Sequence, residues 1–584
     1  MTNETKETMK EDLMNKDEDD AMRTVELKIE GMTCEHCARS VTKALNGVDG
    51  VERAEVDYVG GRGTIRLRGG TGVTAALKAV EGAGYRAEEA SGTPGVAPLA
   101  DTPVAADPRP GSGNDVGPVG GSDVDLLVIG SGSAGMAAAI RGAELGRSVV
   151  VVESGTLGGT CVNVGCIPSK NLIAAADHLH RARAGSPGIA TCDPKVDWRE
   201  VVETKRTLVD HLRQAKYQDV LDAYPEIGLV RGRARFVEGG GIEVDGERVR
   251  TERVVIATGT SPWMTSIPGL DEVEPLNSAT AMELDEVPKS LVILGAGAVG
   301  LELGQTFARF GSRVTVLEMM PEILPEEDSS AAEALRTALE DEGIEIHIGA
   351  RTTRVERKGG GVLLEVEMAG RTRTFRAERL LVATGRRANT AELGLEEAGV
   401  ETDDKGFVRV DAGMRTNAPS VFAAGEVAGL PGFVYVAAAA GRVAASNALE
   451  GGSEELDLRA VPRVVFTSPQ LAAVGLNEKE AAAEGLLTEV GTLELPHLPR
   501  AAVEHTEAGW VRVVAESGSG RILGLQAVAP NAAELLGSAT LAIRKGLTVE
   551  DVVETLHPYL TWVEGFKLAA QTVSQDVSKL SCCA

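Results

Sequence analysis

Long apolar runs are absent from this 584-residue chain, and aromatic residues make up only 3% of it. Without a stretch of 18 apolar residues, the sequence gives no candidate for a membrane-spanning helix. The first residues, Met-Thr-Asn-Glu-Thr-Lys, are polar and lack the apolar segment of a secretory signal peptide. We therefore expect a cytoplasmic protein with no membrane insertion.

Positive charge is also scarce. The chain has 59 Lys and Arg against 86 Asp and Glu, a formal net charge of −27. This balance argues against nucleic acid as a partner. Two explanations of the acidity stay open. One is an ordinary acidic enzyme from a GC-rich genome, in which Arg replaces Lys. The other is a halophilic protein, in which concentrated cations screen a dense acidic surface. The acidic stretches 11–20 and 322–328 and the low Lys content favour the second slightly.

Cysteine is sparse, with seven residues in the chain. Six of them form close pairs, which are Cys34 with Cys37, Cys161 with Cys166, and Cys582 with Cys583. Such pairs differ from the scattered disulfide framework of a small secreted domain. In a large protein they indicate metal-binding or redox-active thiols. We interpret Cys192 as a lone structural thiol.

Glycine is abundant, with 69 residues. Two Gly-x-Gly-x-x-Gly sequences each follow a predicted strand and open a predicted helix. The first follows strand 124–129 and precedes strand 148–152, which ends at Glu153; the second follows strand 291–294 and precedes strand 313–317, which ends at Glu318. The glycines let the backbone approach a pyrophosphate, and the acidic residue accepts bonds from a ribose. The sequence therefore predicts two dinucleotide-binding units of α/β type.

The rest of the chain divides by composition. Residues 1–22 form an acidic tail that we expect to be disordered. Residues 23–90 are predicted to form a small domain, with a first strand in which Val25, Leu27 and Ile29 alternate, further strands near 51–58 and 63–68, and helices near 38–45 and 73–82. Residues 91–122 are dense in Gly, Pro, Ser and Ala, as in a flexible linker. From about residue 460 the pattern becomes mixed α+β.

The segment 158–170, Gly-Gly-Thr-Cys-Val-Asn-Val-Gly-Cys-Ile-Pro-Ser-Lys, resembles the redox motif of the flavin disulfide reductases. The resemblance implies FAD in the first unit and NADPH or NADH in the second. It implies Cys161 as the interchange thiol, Cys166 as the thiol against the flavin, and Lys170 near flavin N5, paired with Glu302. Residues 416–426 resemble the second FAD motif, which usually ends in Asp rather than in Glu426. The implied cofactor-binding residues are Gly130, Gly132, Ala134, Gly135, Glu153, Gly159, Thr160, Lys170, Thr258, Gly259, Gly425, Glu426, Gly295, Gly297, Gly300, Glu318 and Gly385.

Three further features narrow the resemblance. Residues 31–37, Gly-Met-Thr-Cys-Glu-His-Cys, are the signature of a heavy-metal-associated domain, and two thiolates suit Hg(II) or Cu(I) better than zinc. The C-terminal dithiol is the second feature. The third comprises segments 433–441 and 571–580. Together they resemble the mercuric ion reductases from residue 23 to 584.

This resemblance implies a fold of two Rossmann-like domains and an α+β dimerisation domain, preceded by a βαββαβ ferredoxin-like metal-binding domain. The implied domains are the heavy-metal-associated domain 23–90, the FAD-binding domain 123–275 and 406–460, the NAD(P)-binding domain 276–405, and the dimerisation domain 461–584. It also implies a homodimer.

The implied activity is mercury detoxification by reduction of thiol-bound Hg(II) to Hg(0). The ion would pass from Cys34 and Cys37 to Cys582 and Cys583, and then to the redox pair. All six cysteines are thus candidate metal ligands, and Tyr217 and Tyr559 match positions that help to place the metal.

Two alternatives remain at this point. A lipoamide dehydrogenase-like disulfide reductase with a fused metal domain would explain His557, but the residue five positions later is Trp562 rather than an acid. A metal-sequestering module whose flavin core only recycles thiols is the other. The nicotinamide cofactor is also open: Glu318 is followed by Met319 and Met320 with no adjacent Arg, which favours a ribose hydroxyl over a 2′-phosphate.

Overall fold

The computed structural model describes residues 23–30, 41–42, 44–46, 48, 50–57, 62–67, 73–82, 85–89, 123–238 and 241–577. The chain forms two compact units, Met1–Pro108 and Arg109–Ala584. The predicted tail 1–22 and linker 91–122 lie outside the described residues, as do Cys34, Cys37, Cys582 and Cys583.

The first unit contains a four-stranded antiparallel sheet. In spatial order its strands are Val51–Asp57, Arg62–Leu67, Arg23–Glu30 and Arg86–Glu89. A helix spans Val73–Gly82, and residues 41–42 and 44–46 are helical. Side chains alternate between buried and exposed along Arg62–Leu67, as expected for a strand with one face on a core. The strand order confirms the predicted ferredoxin-like arrangement.

A seven-stranded sheet organises the start of the second unit. Its strands in spatial order are Ile227–Arg231, Val149–Glu153, Asp123–Ile129, Glu247–Ile256, Gly241–Val244 and Ala234–Val237, with Val421–Ala423 also paired to Glu247–Ile256. The helices are Ser133–Glu144, Gly159–Val164, Cys166–Ala184, Trp198–Arg213, Asp219–Asp222 and Val434–Glu450. Strand Val149–Glu153 and residues 124–129 of its neighbour are mostly apolar and buried, as in other covered parallel sheets.

The register of this sheet places the carboxyl ends of four parallel strands side by side. Ile129 lies opposite both Val152 and Ile256, and Ile256 lies opposite Ala423. The segments that follow these four strands therefore meet at one edge, where open α/β sheets bind their ligands.

The Ala-rich segment 433–441 has a packing reason. Helix Val434–Glu450 packs closely against helix Ser133–Glu144. A Cβ at Gly441 would lie 2.0 Å from the carbonyl oxygen of Ala134, so a larger residue would separate the two helices. Small residues on both helices allow this close approach.

The second nucleotide-binding sheet is parallel and four-stranded. Its strands in spatial order are Glu345–His347, Arg313–Leu317, Ser290–Leu294 and Arg379–Val382. Beside it lies an antiparallel sheet of Arg351–Lys358, Gly361–Met368 and Arg371–Ala377, and a two-stranded ribbon pairs Thr260–Pro262 with Arg386–Ala388. The helices are Ser278–Ala281, Ala298–Arg309 and Ser329–Asp341.

The C-terminal part contains a five-stranded antiparallel sheet. Its strands in spatial order are Arg463–Val465, Gln470–Gly475, Ile522–Ala529, Trp510–Glu516 and Thr488–Glu494. Its helices are Glu478–Ala483, Pro499–Val503, Leu536–Lys545, Val549–Glu554 and Glu564–Gln571. Two Rossmann-like sheets followed by this α+β part confirm the predicted fold class.

Several predicted strand boundaries shift by one residue, as in Asp123–Ile129, Ser290–Leu294, Val51–Asp57 and Arg62–Leu67. The strand expected at 148–152 runs Val149–Glu153. Ser148 instead exchanges hydrogen bonds with Asp125, whose Oδ2 accepts from the Ser148 N–H and Oγ–H at 2.8 Å. Among the described residues, no helix is long and apolar enough to cross a membrane.

Candidate active site

The first glycine-rich loop joins strand Asp123–Ile129 to helix Ser133–Glu144. Gly130 has φ of +104°, and a Cβ there would lie 2.5 Å from the carbonyl oxygen of Ala257. A Cβ at Gly135 would lie 1.9 Å from the carbonyl oxygen of Gly130. Both glycines therefore bring the helix N-terminus to the sheet edge, where its free N–H groups and dipole favour an anion such as a pyrophosphate.

A carboxylate stands beside this loop. The Oε2 of Glu153 accepts hydrogen bonds from the Ser131 N–H at 2.9 Å and the Ser131 Oγ–H at 2.5 Å. Its Oε1 accepts from the Gly155 N–H at 2.7 Å. These bonds hold the carboxylate at the end of its strand, where it can also accept a ribose hydroxyl.

The two redox-motif cysteines lie on consecutive helices. Cys161 lies within Gly159–Val164, and Cys166 opens Cys166–Ala184. A Cβ at Gly165, between them, would lie 2.9 Å from the carbonyl oxygen of Thr160. Glycine at this junction lets the second helix start close to Cys161. Both cysteines are thiols in the structure.

The pair is electrostatically asymmetric. The Cys161 S–H donates a hydrogen bond to the sulfur of Cys166, and this bond, aided by the Lys170 ammonium, lowers the pKa of Cys166 to about 6. The same bond and burial raise the pKa of Cys161. At neutral pH the pair thus carries one negative charge, on Cys166, with Cys161 protonated.

An ion pair between the half-buried Lys170 and the buried Glu302 adjoins the thiols. The Lys170 Nζ lies 2.7 Å from Glu302 Oε2, and the Glu302 side chain is 6% exposed. The other carboxylate oxygen accepts the Phe466 N–H at 2.9 Å, and the Phe466 ring centroid lies 4.6 Å from the ammonium. Phe466 therefore contacts both members of the pair, which fixes their position.

Of the two candidate metal-positioning tyrosines, the structure brings one to the thiols. Tyr217 lies in a π-helical turn, Gln214–Gln218, and is hydrogen-bonded to Ser133. Burial is the main cause that raises its pKa, and the charges of Cys161 and Cys166 add to it. Tyr559 lies in the C-terminal part, is 51% exposed, and is not among the described residues that line the cavity below.

Within the described residues, His557 forms no ion pair with an acidic side chain, unlike the histidine of disulfide reductases that act on dithiols. Its Nδ1 lies 3.0 Å from the carbonyl oxygen of Thr555. The nearby Glu564 accepts the Leu560 N–H at 3.1 Å instead. His557 and Glu564 are thus each bonded to the backbone and do not form a pair with each other.

The second glycine-rich loop repeats the geometry of the first. Gly295 has φ of +102°, and a Cβ at Gly300 would lie 2.1 Å from its carbonyl oxygen. Glu318, 9% exposed, accepts the Ala296 N–H at 2.7 Å and the Met320 N–H at 2.8 Å. It therefore stands where Glu153 stands in the first unit. Gly297 precedes the helix, and Gly385 follows the neighbouring strand.

A cavity of about 960 Å³ opens at the edge of the first sheet. Four segments that the sheet register brings together line it, and they include Gly130, Gly132, Ala134, Glu153, Gly159, Thr160, Thr258, Gly259, Gly425 and Glu426, with Cys161 and Cys166 at the same wall. A Cβ at Gly159 would lie 2.7 Å from the Cα of Gly132, so the floor is shaped by two glycines in contact. These residues fit a dinucleotide whose pyrophosphate meets the helix N-terminus.

Sequence reasoning missed three residues of this region. Phe466 contacts the ion pair, Thr260 donates to Glu426 at 2.6 Å, and the Asn389 side chain donates to the Thr258 carbonyl at 2.9 Å. Each lies far along the chain from its partner and belongs to no motif. No local signal could have found them.

Comparisons with known proteins agree with this geometry. The family of pyridine nucleotide-disulphide oxidoreductases matches residues 124–441, the dimerisation domain of the same oxidoreductases matches 461–570, and the heavy-metal-associated domain matches 26–86.

Three curated relatives are mercuric reductases. The protein of Acidithiobacillus ferrooxidans is 43% identical over 96% of this chain and 98% of its own length. That of Shigella flexneri is 42% identical over 96% and 99%. That of Streptomyces lividans is 46% identical over 79% and 98%.

Two solved structures share the fold of the larger unit. The HOCl-induced flavoprotein disulfide reductase RclA from Escherichia coli has a TM-score of 0.70 and 29% identity, over 77% of this chain and 100% of that one. LpdA from Mycobacterium tuberculosis has a TM-score of 0.70 and 28% identity over the same shares.

Proposed function

Because this chain belongs to the pyridine nucleotide-disulphide oxidoreductases, and within them to the mercuric reductases, we propose that it reduces thiol-bound Hg(II) to Hg(0) with NAD(P)H. The observation that carries the proposal is the thiol pair. Cys166 is ionised at neutral pH, and Cys161 beside it can provide a second sulfur ligand. Hg(II) is a soft ion that prefers two thiolates.

The roles of the residues follow from their positions. Cys161 receives mercury from an incoming thiol complex, and Cys166 is the thiolate next to the flavin. Lys170, held by Glu302 and Phe466, keeps a positive charge beside Cys166. Tyr217 closes the other side of the pair and orients the metal. Bound FAD supplies the electron transfer between the nicotinamide and the thiol-bound metal.

The overall reaction balances with two electrons. Hg(II) bound to two thiolates, NAD(P)H and one proton give Hg(0), NAD(P)⁺ and two thiols. The hydride of NAD(P)H provides the electron pair. The thiolates released from mercury take up the solution proton and the proton that corresponds to the hydride.

Delivery of mercury depends on the two outer dithiols. We assign Cys34 and Cys37 to capture and Cys582 and Cys583 to transfer into the inner pair, because Hg(II) exchanges between thiolates without being released. The transfer step belongs to a homodimer, which the matched dimerisation domain supports. Tyr559 has its metal-positioning role in the same step.

Glu318 is assigned to the nicotinamide nucleotide. It is nearly buried, both its oxygens accept backbone N–H groups, and the exposed residues beside it are Met319 and Met320. A fixed carboxylate without a neighbouring Arg repels a 2′-phosphate. We therefore expect NADH to be used at least appreciably beside NADPH.

With 123–275 and 406–460 counted as one domain, the boundaries that we propose from the sequence, 23–90, 123–275, 276–405, 406–460 and 461–584, keep every described sheet within one domain except the ribbon of Thr260–Pro262 and Arg386–Ala388. A cytoplasmic location and a role in mercury resistance belong to the same proposal, since the reductant is an intracellular nucleotide. We also propose that the acidic composition of the protein is an adaptation to high salt.

The test is a turnover assay with the full-length enzyme. NAD(P)H oxidation is followed with Hg(II) and excess small thiol, and Hg(0) is measured in the gas phase. Parallel reactions contain lipoamide or Cu(II) in place of mercury. Turnover that needs Hg(II) and produces one Hg(0) per NAD(P)H supports the proposal. Turnover with lipoamide but not with mercury would contradict the proposal and would identify the protein as a lipoamide dehydrogenase-like disulfide reductase.

A further inference from the structure

Glu426 stands where the related FAD motif has Asp. Gly425 and Glu426 follow strand Val421–Ala423 at the cavity edge, and Gly425 has φ of +82°. Both line the cavity. A glutamate is one methylene longer than an aspartate, so its carboxylate reaches further and needs other contacts.

One carboxylate oxygen of Glu426 is held by a polar chain. Its Oε2 accepts the Thr260 Oγ–H at 2.6 Å. The Thr260 Oγ accepts the Arg386 Nε–H, also at 2.6 Å, and Arg386 donates a second bond to the Thr260 carbonyl at 2.7 Å. A guanidinium has no acceptor, so the single Thr260 proton goes to Glu426. The Arg386 Nε is itself 3.6 Å from Glu426 Oε2.

The other carboxylate oxygen lies against Gly432. A Cβ at Gly432 would be 2.4 Å from Glu426 Oε1, and no backbone atom is among its three nearest neighbours. Gly432 does not have a left-handed φ. Glycine at this position therefore leaves room for the carboxylate where it stands, its φ does not require glycine, and a Cβ would displace the end of the Glu426 side chain. Within the described part of the chain, no hydrogen bond is found to Oε1, and both Glu426 and Gly432 line the cavity.

We propose that Thr260, Arg386 and Gly432 are positioning residues that allow a glutamate to bind FAD at this place. Thr260 and Arg386 fix Oε2, and Gly432 leaves the space in which Oε1 accepts a hydroxyl of the cofactor. The inference rests on the proposed function for the identity of the cofactor. It concerns FAD affinity and is independent of whether mercury is the substrate.

The test is a double-mutant cycle on FAD binding, measured by titrating apoprotein with FAD and following flavin fluorescence. We expect Gly432→Ala to raise the dissociation constant about tenfold, equivalent to about 1.4 kcal/mol. In the Glu426→Asp background the shorter side chain withdraws from residue 432. There the same substitution should change the constant less than about twofold, so the two effects are not additive.

Gly241→Ala is the matched control, since its Cβ would meet only Val237 at 3.6 Å, and it should leave FAD binding unchanged. If Gly432→Ala does not fold, FAD binding by Thr260→Val and Thr260→Ser tests the proposal instead. The valine variant should weaken FAD binding severalfold, and the serine variant should restore it. Equal effects of Gly432→Ala in both backgrounds, or equal binding by the valine and serine variants, would overturn the proposal. Mercury reduction by the wild-type enzyme is measured in a separate assay, so that a failure of the proposed function can be distinguished from a failure of this inference.

Discussion

The ionisation of Cys166 gives the sharpest prediction. Its pKa of about 6 depends first on the hydrogen bond from Cys161 and then on Lys170. With that value the thiolate makes up roughly 90% of Cys166 at pH 7, and a thiol at the ordinary pKa near 9 would be roughly 1% ionised. Cys161→Ala removes the donor but keeps the ammonium. We therefore expect the midpoint to rise by more than about one pH unit, to the ordinary value of a thiol or above it, because burial raises the pKa of Cys166 more than the Lys170 ammonium lowers it.

The measurement is the pH dependence of Cys166 alkylation by iodoacetamide in the reduced holoenzyme, quantified by peptide mapping. The midpoint is the readout rather than the rate at one pH, because a thiolate of higher pKa is also the better nucleophile. Cys192→Ser, which alters an exposed thiol, is the control and should keep the midpoint near 6. A midpoint near 6 in Cys161→Ala, or near 9 in the wild-type enzyme, would refute the reasoning.

Four further predictions concern the nucleotide, the outer dithiols and the charge. Glu318→Arg should raise the NADPH to NADH ratio of kcat/KM at least about tenfold, or about 1.4 kcal/mol, with Glu318→Gln intermediate; an unchanged ratio in steady-state assays would contradict the assignment. Replacing Cys582 and Cys583 together by Ala should slow turnover most with Hg(II) bound to a bulky dithiol, and equal loss with small halide complexes would argue against delivery. Deleting residues 1–122 should leave turnover of small-thiol mercury complexes intact, and an inactive but folded core would place that segment in the active site. Under the high-salt explanation, activity and Tm should hold or rise up to about 1–3 M NaCl, where the Debye length is about 3 Å or less, with mercury chloride complexes controlled; a clear loss would leave the ordinary acidic enzyme.

Local pattern was enough for much of the fold. A buried parallel strand that runs into Gly130 or Gly295 must turn at once, and only glycine tolerates the close approach of the next helix. Strand Arg313–Leu317 agrees with its predicted bounds, since its β-branched and apolar residues indicate a strand by themselves. The fold class followed from two such units and the change of pattern near 460.

By itself, therefore, the sequence determined the nucleotide loops, the cysteine pairs and the order of the domains. The tertiary structure alone decided which side chains meet around them. Phe466 reaches Glu302 across 164 residues, and Thr260 reaches Glu426 across 166. Such contacts depend on how sheets from different parts of the chain pack, and a motif records only the spacing of neighbours. Hydrogen bonding and charge act through space, so the ionisation of Cys166 and the room beside Glu426 were set only when the chain folded.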